Sequence, residues 1–311
     1  MSRRVIAILG CTASGKAGLA RALAGPLNAE LVSIDSMKVY RGLDIGTAKP
    51  TPEQQAATRW HMIDVVDPWE SFSAAQFVDR ADAGIADIHS RGRPALAVGG
   101  TILYFQCFYL GMFEGPAANA ELRAELRARA ATEGLEVLHA ELARVDPVAA
   151  ARIHVNDLRR IERALEVHRL TGKPISDLQK QWETGRPRRT DWDWTLIGLR
   201  HPREEGNHRI NDRVRRMIAA GLVEEAHRIW KDPRGLSQQA AQAVGYAELF
   251  AHFRGEMTLD EAIEKIKINS RRLAKQQRTW LRRLPGLNWI DVDPAEPLEK
   301  VVERAQPLLH A

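Results

Sequence analysis

The chain has 311 residues, a formal net charge of +5 and two cysteines. This length exceeds what one compact core usually organises, so we expect one or two lobes. No apolar run reaches the roughly 20 residues that a membrane span needs, and two cysteines predict neither a disulfide framework nor a metal-binding pattern. We therefore expect a cytoplasmic protein without membrane association, and its basic charge suits a polyanionic partner.

A phosphate-binding loop is indicated near the start of the chain. Val5 to Leu9 predict a buried strand, Leu19 to Ala24 predict a helix, and the motif Gly-x-x-x-x-Gly-Lys lies between them from Gly10 to Lys16. In such a loop the N–H groups face one anion and the lysine reaches the outer phosphate, so we expect a di- or triphosphate ligand. The motif ordinarily ends in Ser or Thr, whose hydroxyl binds Mg²⁺, but this chain has Ala17. The simpler alternative is an ordinary strand, turn and helix with a surface lysine.

The first third of the chain alternates strands and helices, which is typical of an open parallel sheet. The patterns predict strands from Ile6 to Leu9, Leu31 to Ile34 and Ala95 to Val98, and a helix from Ser73 to Arg91. Each strand ends in a turn with polar or glycine residues, and these turns should converge at the carboxyl edge of the sheet. Asp35, which follows the second strand, is then either a catalytic carboxylate beside a bound phosphate or a helix N-cap.

The pattern becomes purely helical after Gly115 and Pro116, and a linker is indicated from Gly185 to Thr190. Thr195 to Leu199 again predict a strand. We therefore predict an α/β fold with a P-loop NTPase-like parallel sheet core, an all-helical insertion and a helical C-terminal region. The predicted segments are residues 1–115 for the first part of the core, 116–194 for the insertion and 195–311 for the return to the core.

Two basic clusters lie on predicted helices. One shares a face of the helix predicted from Thr258 to Leu284, at spacings of four, three and four residues. It consists of Arg271, Lys275, Arg278 and Arg282. The other contains Arg159 and Arg163, one turn apart. A solvated face is the simpler interpretation of one such stripe, but two basic surfaces beside a phosphate loop favour a nucleic acid together with a small phosphorylated substrate.

Seven segments of the chain carry a family resemblance. They begin at Gly10, Asp35, Val98, Ile153, Arg163, Val244 and Lys275, and the most specific stretch reads Asp-Ile-Gly-Thr-Ala-Lys-Pro from position 44 to 50. In this order they resemble the successive motifs of bacterial tRNA dimethylallyltransferases, the IPP transferase family, from about residue 5 to residue 283. The resemblance implies transfer of the dimethylallyl group of dimethylallyl diphosphate to N6 of the tRNA adenosine just 3′ of the anticodon, with release of diphosphate.

The resemblance also implies roles for individual residues. The diphosphate-binding residues would be Gly10, Cys11, Thr12, Ala13, Ser14, Gly15, Lys16 and Ala17. The catalytic residues would be Asp35, as base for the attacking amine, with Thr101, Lys16 and Arg209 facing the diphosphate. The tRNA-binding residues would be Asp35, Ser36, Met37, Lys38, Thr101, Arg123, Arg159, Arg160, Arg163, Lys275, Arg278 and Arg282. The target base would be flipped out of the loop stack.

The implied cofactor is Mg²⁺, for which Asp35 is the one candidate ligand, and the implied partners are the tRNA anticodon stem-loop and dimethylallyl diphosphate. We expect the protein to act as a monomer.

Four positions depart from the family pattern. Ala17 lacks the loop hydroxyl, Lys38 stands where Gln is most frequent, Gln276 replaces a frequent Arg, and a lone His61 stands where a His pair or His-Arg is usual. As a cation, Lys38 would lower the pKa of Asp35 or supply charge that the metal no longer provides, whereas His61 is predicted to be structural. Three other functions stay open: a P-loop kinase of a small molecule, an isopentenyltransferase of free adenylate, and an RNA-binding protein that has lost catalysis.

Overall fold

One parallel sheet organises the computed structural model, which describes residues 3–113, 115–180, 182 and 187–309. Its strands are β1 (Arg4–Gly10), β2 (Glu30–Ile34), β3 (Trp60–His61), β4 (Ala95–Gly99), β5 (Asp193–Arg200) and β6 (Asn288–Asp291). They lie in the order β3-β2-β4-β1-β5-β6, and each neighbouring pair is parallel. The predicted parallel α/β fold is confirmed, and the four predicted strands correspond to β1, β2, β4 and β5.

Helices account for most of the remaining described chain. They are α1 (Lys16–Ala24), α2 (Pro52–Ala57), α3 (Ala74–Ser90), α4 (Ile102–Leu110), α5 (Ala120–Glu133), α6 (Leu135–Val145), α7 (Pro147–Arg152), α8 (Leu158–Thr171), α9 (Ile175–Leu178), α10 (Arg203–Ala219), α11 (Leu222–Trp230), α12 (Gln238–Ala241), α13 (Tyr246–Phe253), α14 (Leu259–Leu281) and α15 (Leu298–Ala305). In the described ranges none of them is long and apolar enough to cross a membrane.

Two long helices begin where the sequence predicts. Ser73 caps α3 by accepting a hydrogen bond from the N–H of Gln76, and the Gln76 side chain reaches back to the Ser73 N–H. Thr258 and Glu261 form the same reciprocal capping box at the start of α14. In each case the side chains satisfy N–H groups that the first helical turn leaves without partners.

The chain divides into two compact units. The sheet unit comprises Met1–Tyr109 and Arg188–Ala311, and the helical unit comprises Leu110–Pro187. The predicted insertion began at 116 and ended at 194, so the structure moves both boundaries towards the N-terminus. Residues 188–194 belong with the sheet because Arg188 donates to the carbonyl of Phe108 and pairs with Asp82, and because β5 already begins at Asp193. Of the predicted linker, residues 185 and 186 lie outside the described part of the chain.

The helical unit has its own apolar core, which Leu126, Leu138, Leu142, Ile161 and Leu165 fill between α5, α6 and α8. The sheet unit buries β1, β2 and β4 completely except for the first residue of β1, as expected for strands covered on both faces.

The carboxyl edge of the sheet brings three strand ends together. Gly99 of β4 is in register with Leu9 of β1 on one side and with Ile34 of β2 on the other. Only glycine fits here, because a Cβ on Gly99 would lie 2.0 Å from the Ile34 carbonyl oxygen. The loop after β1, the turn that begins at Asp35 and the turn before Thr101 therefore meet, as the strand pattern predicts.

His61 lies away from this edge, on β3. Its Nε2 is 2.8 Å from the buried Glu30 carboxylate, which also receives two hydrogen bonds from Arg91. Glu30 is 1 % exposed, so these partners compensate a charge that would otherwise be costly to bury. The contact agrees with the structural role predicted for His61.

Candidate active site

A large cleft of the sheet unit opens at the carboxyl edge. Its volume is about 1100 Å³, and its walls come from the loop after β1, the turns after β2 and β4, and helices α10 and α14. Seven cationic side chains and three carboxylates line it. The cations are Lys16, Arg21, Lys38, Lys49, Arg209, Arg213 and Arg216. An excess of positive charge in a concave site favours a polyanionic ligand.

The predicted phosphate loop has the geometry of an anion site. Ala13 and Gly15 adopt positive φ angles of 62° and 87°, which turns the backbone sharply between β1 and α1. Gly15 is the N-cap of α1 and has no side chain to accept from the first-turn N–H groups. These N–H groups and the positive end of the helix dipole therefore remain available to an anion in the cleft.

Side chains from distant segments brace this loop. The Gln277 side chain on α14 accepts from the Thr12 N–H at 2.8 Å and donates to the Gly100 carbonyl at 2.7 Å, so it joins the turns after β1 and β4. Arg209 Nε donates to the Ala13 carbonyl at 3.0 Å, and Arg213 donates to the Thr12 hydroxyl at 3.2 Å. The arrangement holds Arg209 of α10 against the phosphate loop, and its contact with a diphosphate stays a prediction.

Asp35 initiates a hydrogen-bonded turn and no helix, so the helix N-cap alternative is wrong. Its Oδ1 accepts from the N–H groups of Met37 at 2.9 Å and Lys38 at 3.3 Å, whereas no described residue donates a hydrogen bond to its Oδ2. Thr101 fixes the same turn, because its hydroxyl oxygen accepts from the Ser36 N–H at 3.0 Å. The turn holds one carboxylate oxygen of Asp35 and leaves the other for a ligand.

Two lysines in the cleft are markedly desolvated. Burial lowers the pKa of Lys16 to about 8, and the nearby charge of Arg213 acts in the same direction. Burial likewise lowers the pKa of Lys38 to about 8, against the opposing attraction of Asp35. Burial also lowers the pKa of Arg213. Desolvated cations bind an incoming anion strongly, since water no longer screens them.

Residues Ile45 to Lys49 form another wall of the cleft, and Glu225 on α11 holds the segment from Asp44 to Lys49 in place. The Glu225 carboxylate accepts from the N–H groups of Asp44, Ile45 and Gly46 at 2.9–3.2 Å, and from the Tyr246 hydroxyl at 2.6 Å. Both Glu225 and Tyr246 are buried. One internal carboxylate thus fixes the backbone of the most family-specific motif.

The residues present fit a weakly anchored Mg²⁺. Ala17 offers no oxygen side chain, and in the described ranges no three His, Cys, Asp or Glu side chains cluster as a metal site. Asp35 is the carboxylate that lies close enough to Lys16 to influence its pKa. Because Mg²⁺ commonly binds through one or two carboxylates together with substrate phosphates and water, Asp35 is the residue that would hold it together with a bound diphosphate.

The residues predicted to bind tRNA fall in both units. In the sheet unit, Lys275 is exposed and Arg278 is half-buried on α14, and Arg282 is exposed at the C-terminal end of this helix. In the described structure none of them forms an ion pair with a carboxylate. Ser36, Met37 and Lys38 line the cleft. The predicted contact residues of the cleft and of α14 thus lie on one unit.

In the helical unit, Arg159 and Arg160 are exposed at the start of α8. Arg123 and Arg163 instead share the fully buried Glu166, whose carboxylate they contact at 2.8 Å and 2.5 Å. The two guanidinium groups are thereby fixed in orientation, and part of their charge is neutralised within the protein.

Several residues of this site were missed from the sequence. Arg213 lies one helical turn after Arg209, and that spacing could have indicated a second arginine on the same face of α10. Gln277 lies in the family segment that begins at Lys275, but its two hydrogen-bond partners, Gly100 and Thr12, lie 177 and 265 residues earlier in the chain, in the turns after β4 and β1. Sequence spacing carries no information about such distant contacts.

Comparisons with known proteins agree with the geometry. Residues 38–284 match the family model described as IPP transferase. The chain is 45% identical over 306 residues to the tRNA dimethylallyltransferase of Geobacillus thermodenitrificans, covering 97% of this chain and 95% of that protein. It is 46% identical over 303 residues to the tRNA dimethylallyltransferase of Anaeromyxobacter dehalogenans, covering 97% and 99%.

Solved structures give the same result. The tRNA isopentenylpyrophosphate transferase of Bacillus halodurans superposes with a TM-score of 0.70 at 40% identity, covering 99% of this chain and 97% of that chain. A eukaryotic dimethylallyltransferase described as acting on tRNA superposes with a TM-score of 0.81 at 25% identity, covering 98% and 78%. The relatives and the solved structures match nearly the whole chain, the family model matches residues 38–284, and this protein belongs to the IPP transferase family.

Proposed function

We propose that this chain is a tRNA dimethylallyltransferase, which transfers the dimethylallyl group of dimethylallyl diphosphate to N6 of the adenosine 3′ of the anticodon. The observation that carries the proposal is the placement of the Asp35 carboxylate beside a phosphate loop in a cleft where cations outnumber carboxylates. This reaction requires the protein to bind a diphosphate leaving group and to provide a base for the attacking amine.

Each group at the cleft has a role in this reaction. Lys16, Arg209 and the N–H groups at the start of α1 bind the diphosphate and stabilise the charge that develops as the C–O bond breaks. The free oxygen of Asp35 accepts the proton that N6 loses when it attacks the isoprenyl carbon. When bound, Mg²⁺ would neutralise further charge on the leaving diphosphate.

The partner proposed for the basic surfaces is the tRNA anticodon stem-loop. Among the described residues, Lys275 and Arg278 on α14, Arg282 at its C-terminal end and Arg159 on α8 form no ion pair with a carboxylate, and Arg160 pairs with the partly exposed Asp157. Such residues bind RNA mainly through phosphates, and the target base must leave its stack to enter the cleft. We further propose that the protein acts as a cytoplasmic monomer with Mg²⁺ as its cofactor.

The decisive experiment incubates the protein with Mg²⁺, dimethylallyl diphosphate and an unmodified tRNA that has adenosine 3′ of its anticodon. Digestion and mass spectrometry of the nucleosides should reveal N6-(dimethylallyl)adenosine. Asp35→Asn should lower the rate by about 10²- to 10⁴-fold, because the amide keeps the oxygen that fixes the turn but cannot accept the proton. Asp260→Asn, which changes an exposed carboxylate on α14, should leave the rate unchanged.

Other outcomes identify the alternatives. Prenylation of free adenylate in place of tRNA would indicate an adenylate isopentenyltransferase, and phosphoryl transfer from ATP would indicate a kinase. Tight tRNA binding without any product would identify an RNA-binding protein that has lost catalysis.

A further inference from the structure

Lys38 lines the cleft and forms no ion pair with any carboxylate of the described residues. Asp35 is nevertheless near enough to attract its ammonium group. Lys49, which lines the same cleft, provides the contrast. Its ammonium donates to Asp44 at 2.5 Å and Asp64 at 2.6 Å, and to the Tyr40 carbonyl at 2.8 Å.

The difference between the two lysines indicates a ligand for Lys38. Removing an ammonium group from water is costly unless an anion compensates it. Lys49 receives that compensation from its own chain. Lys38 instead lines the cleft together with Lys16, Arg21 and Arg213, and Asp35 is the nearby carboxylate that attracts it. The folded chain therefore leaves a surplus of positive charge around Lys38, and an anion that enters the cleft would relieve it.

Ala17, which lines the same cleft, suggests which anion this is. A phosphate loop with Ser or Thr at this position anchors Mg²⁺ through the hydroxyl, and the metal then carries the phosphate charge. Here the loop contributes no hydroxyl, and Lys16 is close enough to Lys38 for the two charges to interact. Any group that Lys16 binds is thus also in the field of Lys38.

We propose that Lys38 binds the diphosphate of the substrate directly and supplies positive charge that a hydroxyl-anchored Mg²⁺ would otherwise provide. The inference rests on the proposed function, because it assigns a further residue to the same diphosphate site. It implies that this enzyme holds a diphosphate with little help from the metal.

The test is calorimetric titration of inorganic diphosphate into the full-length protein, once with excess EDTA and once with Mg²⁺. The wild type should bind in both conditions. Lys38→Gln should weaken binding by about tenfold or more in EDTA, because a charge-assisted hydrogen bond is lost, and by less in Mg²⁺. Lys38→Arg should retain most of the metal-free binding, and Lys300→Gln, at an exposed lysine of α15, should bind as the wild type does.

The outcomes separate this inference from the proposed function. Binding by the wild type only with Mg²⁺, or equal binding by the wild type and Lys38→Gln in EDTA, would overturn the role of Lys38 and leave a diphosphate site intact. Absence of binding in both conditions would overturn the diphosphate site itself. Ala17→Thr offers a second check, since the restored hydroxyl should reduce the effect of Lys38→Gln in Mg²⁺. Thermal melting of each variant shows whether it is folded.

Discussion

Replacement of Glu225 by Gln should destabilise the segment from Asp44 to Lys49 without changing any group that the proposed reaction uses. Each carboxylate oxygen of Glu225 accepts from backbone N–H groups: Oε1 from Ile45 and Gly46, and Oε2 from Asp44 and Ile45. A glutamine has only one acceptor oxygen, so its NH₂ group must face at least one of these donors. The substitution therefore removes hydrogen bonds and also creates a donor–donor contact in a buried site.

The magnitude follows from the number of bonds. A hydrogen bond to a charged group contributes about 1.5–3 kcal/mol, and Glu225→Gln removes one to two of them, so the free energy of unfolding should fall by about 3 kcal/mol. Tyr246→Phe removes only the 2.6 Å bond from the hydroxyl and should cost about 2 kcal/mol. Because the two residues share this bond, the effects of the two substitutions should not add in the double variant.

Urea unfolding and steady-state kinetics measure these effects. We expect a raised KM for dimethylallyl diphosphate, since Ile45 to Lys49 line the cleft. Glu224→Gln is the matched control, because Glu224 is the preceding residue of α11 and its side chain is exposed. If Glu225→Gln unfolds at the same urea concentration as Glu224→Gln, with an unchanged KM, then Glu225 does not hold this segment.

Three further predictions concern other parts of the molecule. Gly46→Ala should destabilise by about 1–3 kcal/mol in urea, since its Cβ would lie 2.5 Å from a buried tyrosine ring, whereas Gly25→Ala, at a φ of −62° with no atom within 4 Å, should be neutral or slightly stabilising. The arginine partners of Glu166 lower its pKa to about 2 despite burial, so Glu166 should stabilise the fold fully above about pH 4.5 and progressively less as the pH falls towards 2. Its contribution to the free energy of unfolding should fall by about 1 kcal/mol between neutral pH and pH 3.5. Glu166→Gln should remove this part of the pH dependence of unfolding. Lys275→Gln should weaken tRNA binding and reduce its salt slope by about one, and an unchanged slope, equal to that of Lys300→Gln, would exclude a phosphate contact.

The parts of the fold that were predicted from the sequence are those in which local pattern and tertiary role coincide. The apolar run before Gly10 forms a central strand because it is buried on both faces. The capping residues Ser73 and Thr258 begin helices because their bonds are local. β3 and β6 have only two and four residues, and their pairing with β2 and β5 defines them more than their own sequence does.

The candidate site was predictable to the same extent and for the same reason. The phosphate loop is a contiguous motif, so the sequence identifies it. The bracing contacts of Gln277 and Arg213, and the contact of Glu225 with the segment 44–49, join residues more than 150 positions apart, and the fold alone creates them.

Burial is the other property that the sequence does not carry, and it distinguishes the lysines of the cleft. In the sequence, Lys16, Lys38 and Lys49 are the same residue type. In the structure, two carboxylates neutralise Lys49, whereas burial lowers the pKa of Lys16 and Lys38 to about 8. In the described structure Lys49 is paired internally, whereas two desolvated lysines face the same cleft without an ion-pair partner. Their charge is therefore available to a ligand. Because the surplus is positive and lies beside a phosphate loop, that ligand must bring several negative charges of its own, as a diphosphate does.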